Sequence, residues 1–122
     1  MENQFKEEIE ALQTLKEYNV KIVKALKEII PELKGEKQPD TDEYLQNILK
    51  GINWEIQVIN GTMKYLNREE EVISKEGVNS MIVKLNETLQ NKGQDEQVAA
   101  ILEERLLPFL EELSQIAEKA IA

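Results

Sequence analysis

The chain predicts an all-α fold, an antiparallel up-down four-helix bundle with a kinked last helix, and three observations predict it. Apolar residues recur at three- and four-residue steps along four segments. Only five glycines and three prolines interrupt 122 residues. The connections between the periodic segments are short, which favours neighbouring antiparallel helices. A chain of this length reads as one domain, residues 1–122, and buries roughly two-thirds of its unfolded surface without needing staples.

The first helix is expected from about Asn3 to Leu33. Phe5, Ile9, Leu12, Leu15, Ile22, Leu26, Ile29, Ile30 and Leu33 form its apolar stripe. Acids lead it (Glu2, Glu7, Glu8, Glu10), and Lys21, Lys24 and Lys27 sit toward its end, an asymmetry that complements the helix dipole. Pro31 in the last turn marks a stop or kink. Lys34 to Pro39 then reads as a polar linker holding Gly35.

Asp40 is expected to cap the second helix, with Glu43 three residues on completing a capping box. That helix should span about Thr41 to Leu66, on a seam of Leu45, Ile48, Leu49, Ile52, Ile56, Ile59, Met63 and Leu66. Asn60-Gly61, flanked by Ile56, Val58, Met63 and Tyr65, is also a β-hairpin signal. Helical spacing persists on both sides of Gly61, which favours the helix and leaves the hairpin as the alternative.

Asn67 to Ile73 is a charged connector carrying Arg68, Glu69, Glu70 and Glu71. Ser74 is placed to cap a third helix, with Ile73 and Val78 as a hydrophobic staple. Val78, Ile82, Leu85 and Leu89 should face inward, and Gly93 should end the segment. The fourth helix is expected from about Asp95 to Ala120, lined by Val98, Leu102, Leu106, Phe109, Leu113, Ile116 and Ala120. Pro108 falls in its middle and predicts a kink.

Two polar residues fall on inward stripes. Asn19 stands between Leu15 and Ile22, and Arg105 between Leu102 and Phe109. The structural reading has Asn19 fixing helix register and Arg105 snorkelling to the bundle edge. The functional reading makes them a recognition pair inside a cleft.

Composition narrows the function by exclusion. There is no cysteine and no histidine, which removes disulfides, thiolate catalysis, zinc ribbons and the Glu-x-x-His pairs of di-iron bundles. With 24 acids against 15 bases the net charge is −9, a surface that repels phosphate backbones. No nucleic-acid partner is expected. No apolar run approaches the roughly 18 residues of a membrane span, and the acidic stretch Met1 to Glu10 does not read as a secretion signal. A cytoplasmic location is the expectation.

The acidic doublets Glu7-Glu8, Glu70-Glu71, Glu103-Glu104 and Glu111-Glu112 lack the third acid of a Glu-Glu-x-x-Glu magnesium site, and solvated faces account for them. No phosphate loop, nucleophile elbow or EF-hand loop is present. No catalytic residue, metal ligand or small-molecule cofactor is predicted.

One surface is unusual. At about 100° per residue, helix two carries a second stripe opposite its seam, made of Trp54, Val58 and Tyr65 and flanked by Gly51 and Gly61. Between the stripes lie Gln46, Lys50, Asn53, Gln57, Asn60, Lys64 and Asn67, a band with no acid in it. Trp and Tyr are enriched at binding hot spots, and glycine lets a partner backbone approach closely. The stripe therefore reads as a docking patch, or else as packing against a second neighbouring helix.

The leading functional expectation is a non-enzymatic helical binding protein, an adaptor or a small chaperone-like protein that docks a partner segment on helix two. A homodimeric structural bundle using the same stripe is the alternative, and a carboxylate-based divalent-metal enzyme is the third reading. The stretch Ile101-Leu102-Glu103-Glu104-Arg105-Leu106-Leu107-Pro108-Phe109-Leu110-Glu111 resembles the last helix of a family of small, acidic, all-helical Firmicute proteins of unknown function. In that pattern an aromatic and an acid stand where this chain has Glu104 and Arg105. The resemblance covers about a tenth of the chain and implies a helical bundle, with no implication for activity.

Overall fold

The computed structural model describes residues 5–121. Within them the periodic segments become α1 (Lys6–Leu33), α2 (Thr41–Leu66), α3 (Lys75–Gln90), α4 (Asp95–Ile101) and α5 (Leu107–Ala120). A π-helical turn, Leu102–Leu106, joins the last two into one interrupted rod. No strand occurs among the described residues, so Asn60-Gly61 lies inside a helix and not in a hairpin. The expected start of the first helix at about Asn3 lies outside the described residues; Phe5 occupies the N-cap position of α1.

α1 packs on α2 and α5, α2 on α3, and α3 on α4 and the π turn. Successive helices are thus neighbours and the last closes on the first, the arrangement of an up-down four-helix bundle. One core runs through it. Leu12, Leu15, Leu26 and Ile29 of α1 meet Ile52 and Ile59 of α2, Val78 of α3, and Leu102, Leu106, Leu110 and Leu113 of the last rod, all fully buried.

The helix ends follow local chemistry, with one correction. Pro31 lies in the last turn of α1, and its carbonyl accepts the amides of Lys34 (3.1 Å) and Glu36 (3.3 Å). Gly35, at φ +148°, supplies the turn that makes this closure possible. The capping box of Asp40 and Glu43 does not form: Asp40 stands at the N-cap position, but its side chain makes no cap bond. Its backbone, at φ −100° and ψ 4°, is far from the extended conformation a capping side chain needs. The neighbouring Thr41 instead ties the start of α2 to the preceding chain: its buried hydroxyl accepts the Gln38 amide at 2.8 Å and donates to Glu32 at 2.7 Å.

The 67–73 connector is ordered by one side chain. Asn67 Oδ1 accepts the amides of Val72 (2.8 Å) and Ile73 (3.1 Å), and its Nδ2 donates to the Ile73 carbonyl. Ser74 caps α3 as expected, accepting the Gly77 amide at 2.9 Å, with both staple residues Ile73 and Val78 buried. Past Gln90 the chain reverses through Gly93 at φ +92°.

The last rod departs from simple periodicity. Pro108 cannot donate to the carbonyl four residues back, and ahead of it the chain widens: the Leu107 amide bonds Leu102 O, five residues earlier. A π turn inserts one extra residue and rotates everything beyond it. Leu110, Leu113 and Ala117 therefore become the buried line of α5, while the expected Phe109, Ile116 and Ala120 are only half-buried. Arg105 is likewise not inward; it is exposed on the π turn and Leu106 fills the core. On α3, Leu89 is 45% exposed at the end of its helix, not part of the inner face.

Candidate functional site

Gly51 and Trp54 come together at the outer seam of α1 and α2, and a residue of α1 organises them. A Cβ on Gly51 would overlap the Tyr18 hydroxyl and ring edge and the Ile22 terminal carbon. The missing side chain lets Tyr18 lie flat across α2. Trp54 then meets the Tyr18 ring edge-on, centroids 5.5 Å apart at 86°, a favoured aromatic geometry. Trp54 remains 37% exposed. Thr14, Tyr18, Asn47, Lys50, Gly51 and Trp54 line a shallow hollow of about 380 Å³. Lys50 is the only charged member of that lining, in a chain of net charge −9.

The rest of the expected stripe goes elsewhere. Val58, one turn beyond Trp54, is half-buried against the core. Tyr65 is buried at the far end of α2, packed on Phe5 at 5.1 Å. Its hydroxyl donates to Ala120 O at 2.8 Å, and the Arg68 guanidinium lies 3.9 Å over its ring. Gly61 is exposed, with open space where a Cβ would point.

Behind this surface lies a polar group that periodicity should have flagged. Glu55 sits three residues after Ile52 and four before Ile59, squarely on the α2 seam, and it is 0% exposed. Neither of its carboxyl oxygens has a partner. Burial alone pushes its pKa up from the usual carboxylate value to about 8. On α1, Asn19 is 1% exposed. Its Nδ2 donates to Leu110 O at 2.7 Å and Ser114 Oγ at 2.6 Å, while its Oδ1 is buried and unpartnered. Asn19 thus ties α1 to α5, and Arg105 plays no part with it. Tyr18 was also legible in principle, since it stands between Leu15 and Ile22 at helical spacing on the edge of the α1 stripe.

The acidic doublets face outward except at Glu8, which is half-buried with its Oε2 shielded and unpartnered. Glu103 pairs with Lys34 at 2.9 Å and Glu111 with Lys27 at 3.6 Å, exposed ion pairs between α1 and the last rod that contribute little to stability. No helix of the described residues is long and apolar enough to cross a membrane.

The model of a domain of unknown function, DUF8042, matches residues 10–116. The chain belongs to that family. The DUF8042 stretch runs from the second turn of α1 well into α5, and so includes the Tyr18–Trp54 shelf, Glu55 and Asn19. No curated protein and no solved structure matches the chain.

Proposed function

We propose that this protein is a non-enzymatic helical binding protein, acting in the cytoplasm as an adaptor or small chaperone-like protein. Its docking surface is the shelf of Tyr18, Gly51 and Trp54 at the α1–α2 seam. The observation that carries the reading is Trp54 itself, held in a fixed edge-on geometry yet more than a third exposed. Anchors of binding hot spots are typically aromatic, preordered and set in a pocket. The occupant that fits is a protein segment presenting an aliphatic or aromatic side chain to the hollow, with a carboxylate beside it to meet Lys50. The acid-free band along α2 removes the repulsion that such a segment meets elsewhere on a surface of net charge −9.

The test uses the sole tryptophan. Apolar peptides flanked by acids should shift Trp54 emission to the blue and shield it from acrylamide; the same peptides flanked by lysines should not. Lys50→Glu should reverse the preference, and Trp54→Ala should abolish binding in a protein whose helical circular dichroism is unchanged. Protection of Trp54 from acrylamide at every protein concentration, with no peptide effect, overturns the proposal. Protection that vanishes on dilution assigns the shelf to a homodimer instead.

A further inference from the structure

We infer that Glu55 and Asn19 form a proton-dependent latch inside the bundle, in which the neutral carboxyl of Glu55 donates to Asn19 Oδ1 and its ionisation loosens α2 from α1 and α5. The inference starts from two orphaned groups. Buried polar atoms without partners are rare in folded proteins, and each calls for an explanation. Among the described residues the orphans are Glu8 Oε2 near the start of α1, Asn19 Oδ1 and both Glu55 oxygens, and the last two residues stand on adjacent helices.

The helix register brings them to one level. Tyr18 against Trp54, Ile22 against Gly51 and Phe5 against Tyr65 define how antiparallel α1 and α2 run past each other. In that register Glu55 falls between the levels of Leu15 and Asn19. Side chains lean toward the N-terminus of their own helix. Because the helices are antiparallel, Glu55 leans toward Asn19 and Asn19 leans toward Glu55. A protonated carboxyl has one O–H to give, and Asn19 Oδ1 has nothing else to accept. Asn19 Nδ2 is already committed to α5. The hydrogen bond would therefore join three helices at mid-bundle.

No other ionisable group intervenes. The buried residues of α1, α3, α4, the π turn and α5 are all non-titratable. Of the charged side chains on the other elements, Glu8, Lys16 and Glu17 on α1, Lys84 and Glu87 on α3, Arg105 on the π turn and Glu111 on α5 are none of them buried residues. Only Glu8 has a shielded, unpartnered oxygen, about three turns before Asn19 on α1. None contributes to the raised pKa of Glu55, for which burial is the cause. Tyr18, the titratable neighbour of Asn19, points to the outer seam with Trp54. Ionising Glu55 in this setting leaves a carboxylate with no cation to answer it. Separation of α2 from its neighbours, which admits water, is the available relief.

The sign follows from proton linkage. The folded carboxyl holds its proton up to about pH 8, whereas the unfolded one releases it near pH 4.5. Stability from this group is full at low pH and is lost as pH rises between those values. The experiment is urea unfolding of the wild-type protein, Glu55→Gln and Asn19→Leu from pH 5 to 9, with acrylamide quenching of Trp54 in the native baseline. Gln cannot ionise but can still donate to Asn19. The unfolding midpoint of wild type should fall relative to Glu55→Gln across pH 5–8 and then level off, and Trp54 quenching in the native baseline should rise only as the folded carboxyl ionises, around pH 8. Asn19→Leu removes the acceptor of the neutral form, so that levelling-off should move to lower pH. Parallel pH profiles for wild type and Glu55→Gln overturn the latch. An unmoved profile in Asn19→Leu overturns Asn19 as its partner.

Discussion

Pro31 and Pro108 lie in helices that pack on each other, α1 and the α4–α5 rod, and the chain accommodates them in different ways. Pro31 falls where α1 is about to end, so its missing donor costs one bond in a turn that Gly35 then closes. Pro108 falls where the rod must continue, between the buried Leu106 and Leu110. There the chain answers with a π turn, and every later residue of α5 is rotated. Two glycines of α2 repeat the contrast. Gly51 is pressed beneath Tyr18 and Ile22, while Gly61 faces open space. A helix breaker is defined by what its neighbourhood packs against, not by its own propensity.

The largest effect that would test this picture is at the π turn. Leu106→Ala should cost about 2–5 kcal/mol in urea unfolding, as much as Leu26→Ala in regular α1, because both side chains are fully buried. A much smaller cost at Leu106 would mean that the interrupted half of the bundle is a looser, separate layer.

Next in size is Glu55→Leu, expected to raise stability at pH 7 by about 1–4 kcal/mol, since an apolar side chain replaces a fully buried carboxyl that has at most one hydrogen-bond acceptor to reach. The gain should be larger at pH 8 than at pH 5. Wild type loses stability over that interval as the unfolded chain sheds the Glu55 proton and the folded chain, with its pKa at about 8, retains it. A gain independent of pH would break the assignment of a neutral Glu55.

The glycine pair should separate by sign. Gly51→Ala collides with Tyr18 and should cost about 1–3 kcal/mol, with a change in Trp54 emission as the aromatic pair is displaced. Gly61→Ala meets nothing and should stabilise α2 by about 0.5–1 kcal/mol. Equal effects at the two sites would show that propensity outweighs packing.

The smallest effect is expected at Pro108→Ala, a stability change under about 1 kcal/mol. Straightening the rod would turn exposed Arg105 into the core, which costs more than the recovered hydrogen bond returns. Amide exchange and backbone chemical shifts should therefore still report a π turn over Leu102–Leu106. A regular α-helix there would show that proline alone creates it.

The bounds of α2, the Ser74 cap, the stop near Gly93 and the buried Asn19 could all be read from residues within one or two turns. The misread positions share a different origin. Asp40 makes no cap because its backbone is not extended, and Thr41 beside it bonds Glu32 on α1. Arg105, Phe109 and Ile116 face inward only if a 3.6-residue period continues through a turn that does not keep it. At the candidate site, Trp54 and Gly51 were legible from composition and spacing on α2. Tyr18, which gives Gly51 its purpose, lies 33 residues earlier in sequence, and only helix pairing joins them. Tyr65 shared the stripe but was claimed by Phe5, Arg68 and Ala120.

Periodicity and local capping chemistry determined the fold class, the number of helical segments and most of their ends, because these depend on interactions spanning four residues or fewer. Tertiary structure alone decided which side of each helix is covered: that Trp54 stays more than a third exposed, that Glu55 is sealed in the core, and that α5 turns by one residue. Those outcomes depend on the register between helices, which is set by close packing of side chains distant in sequence.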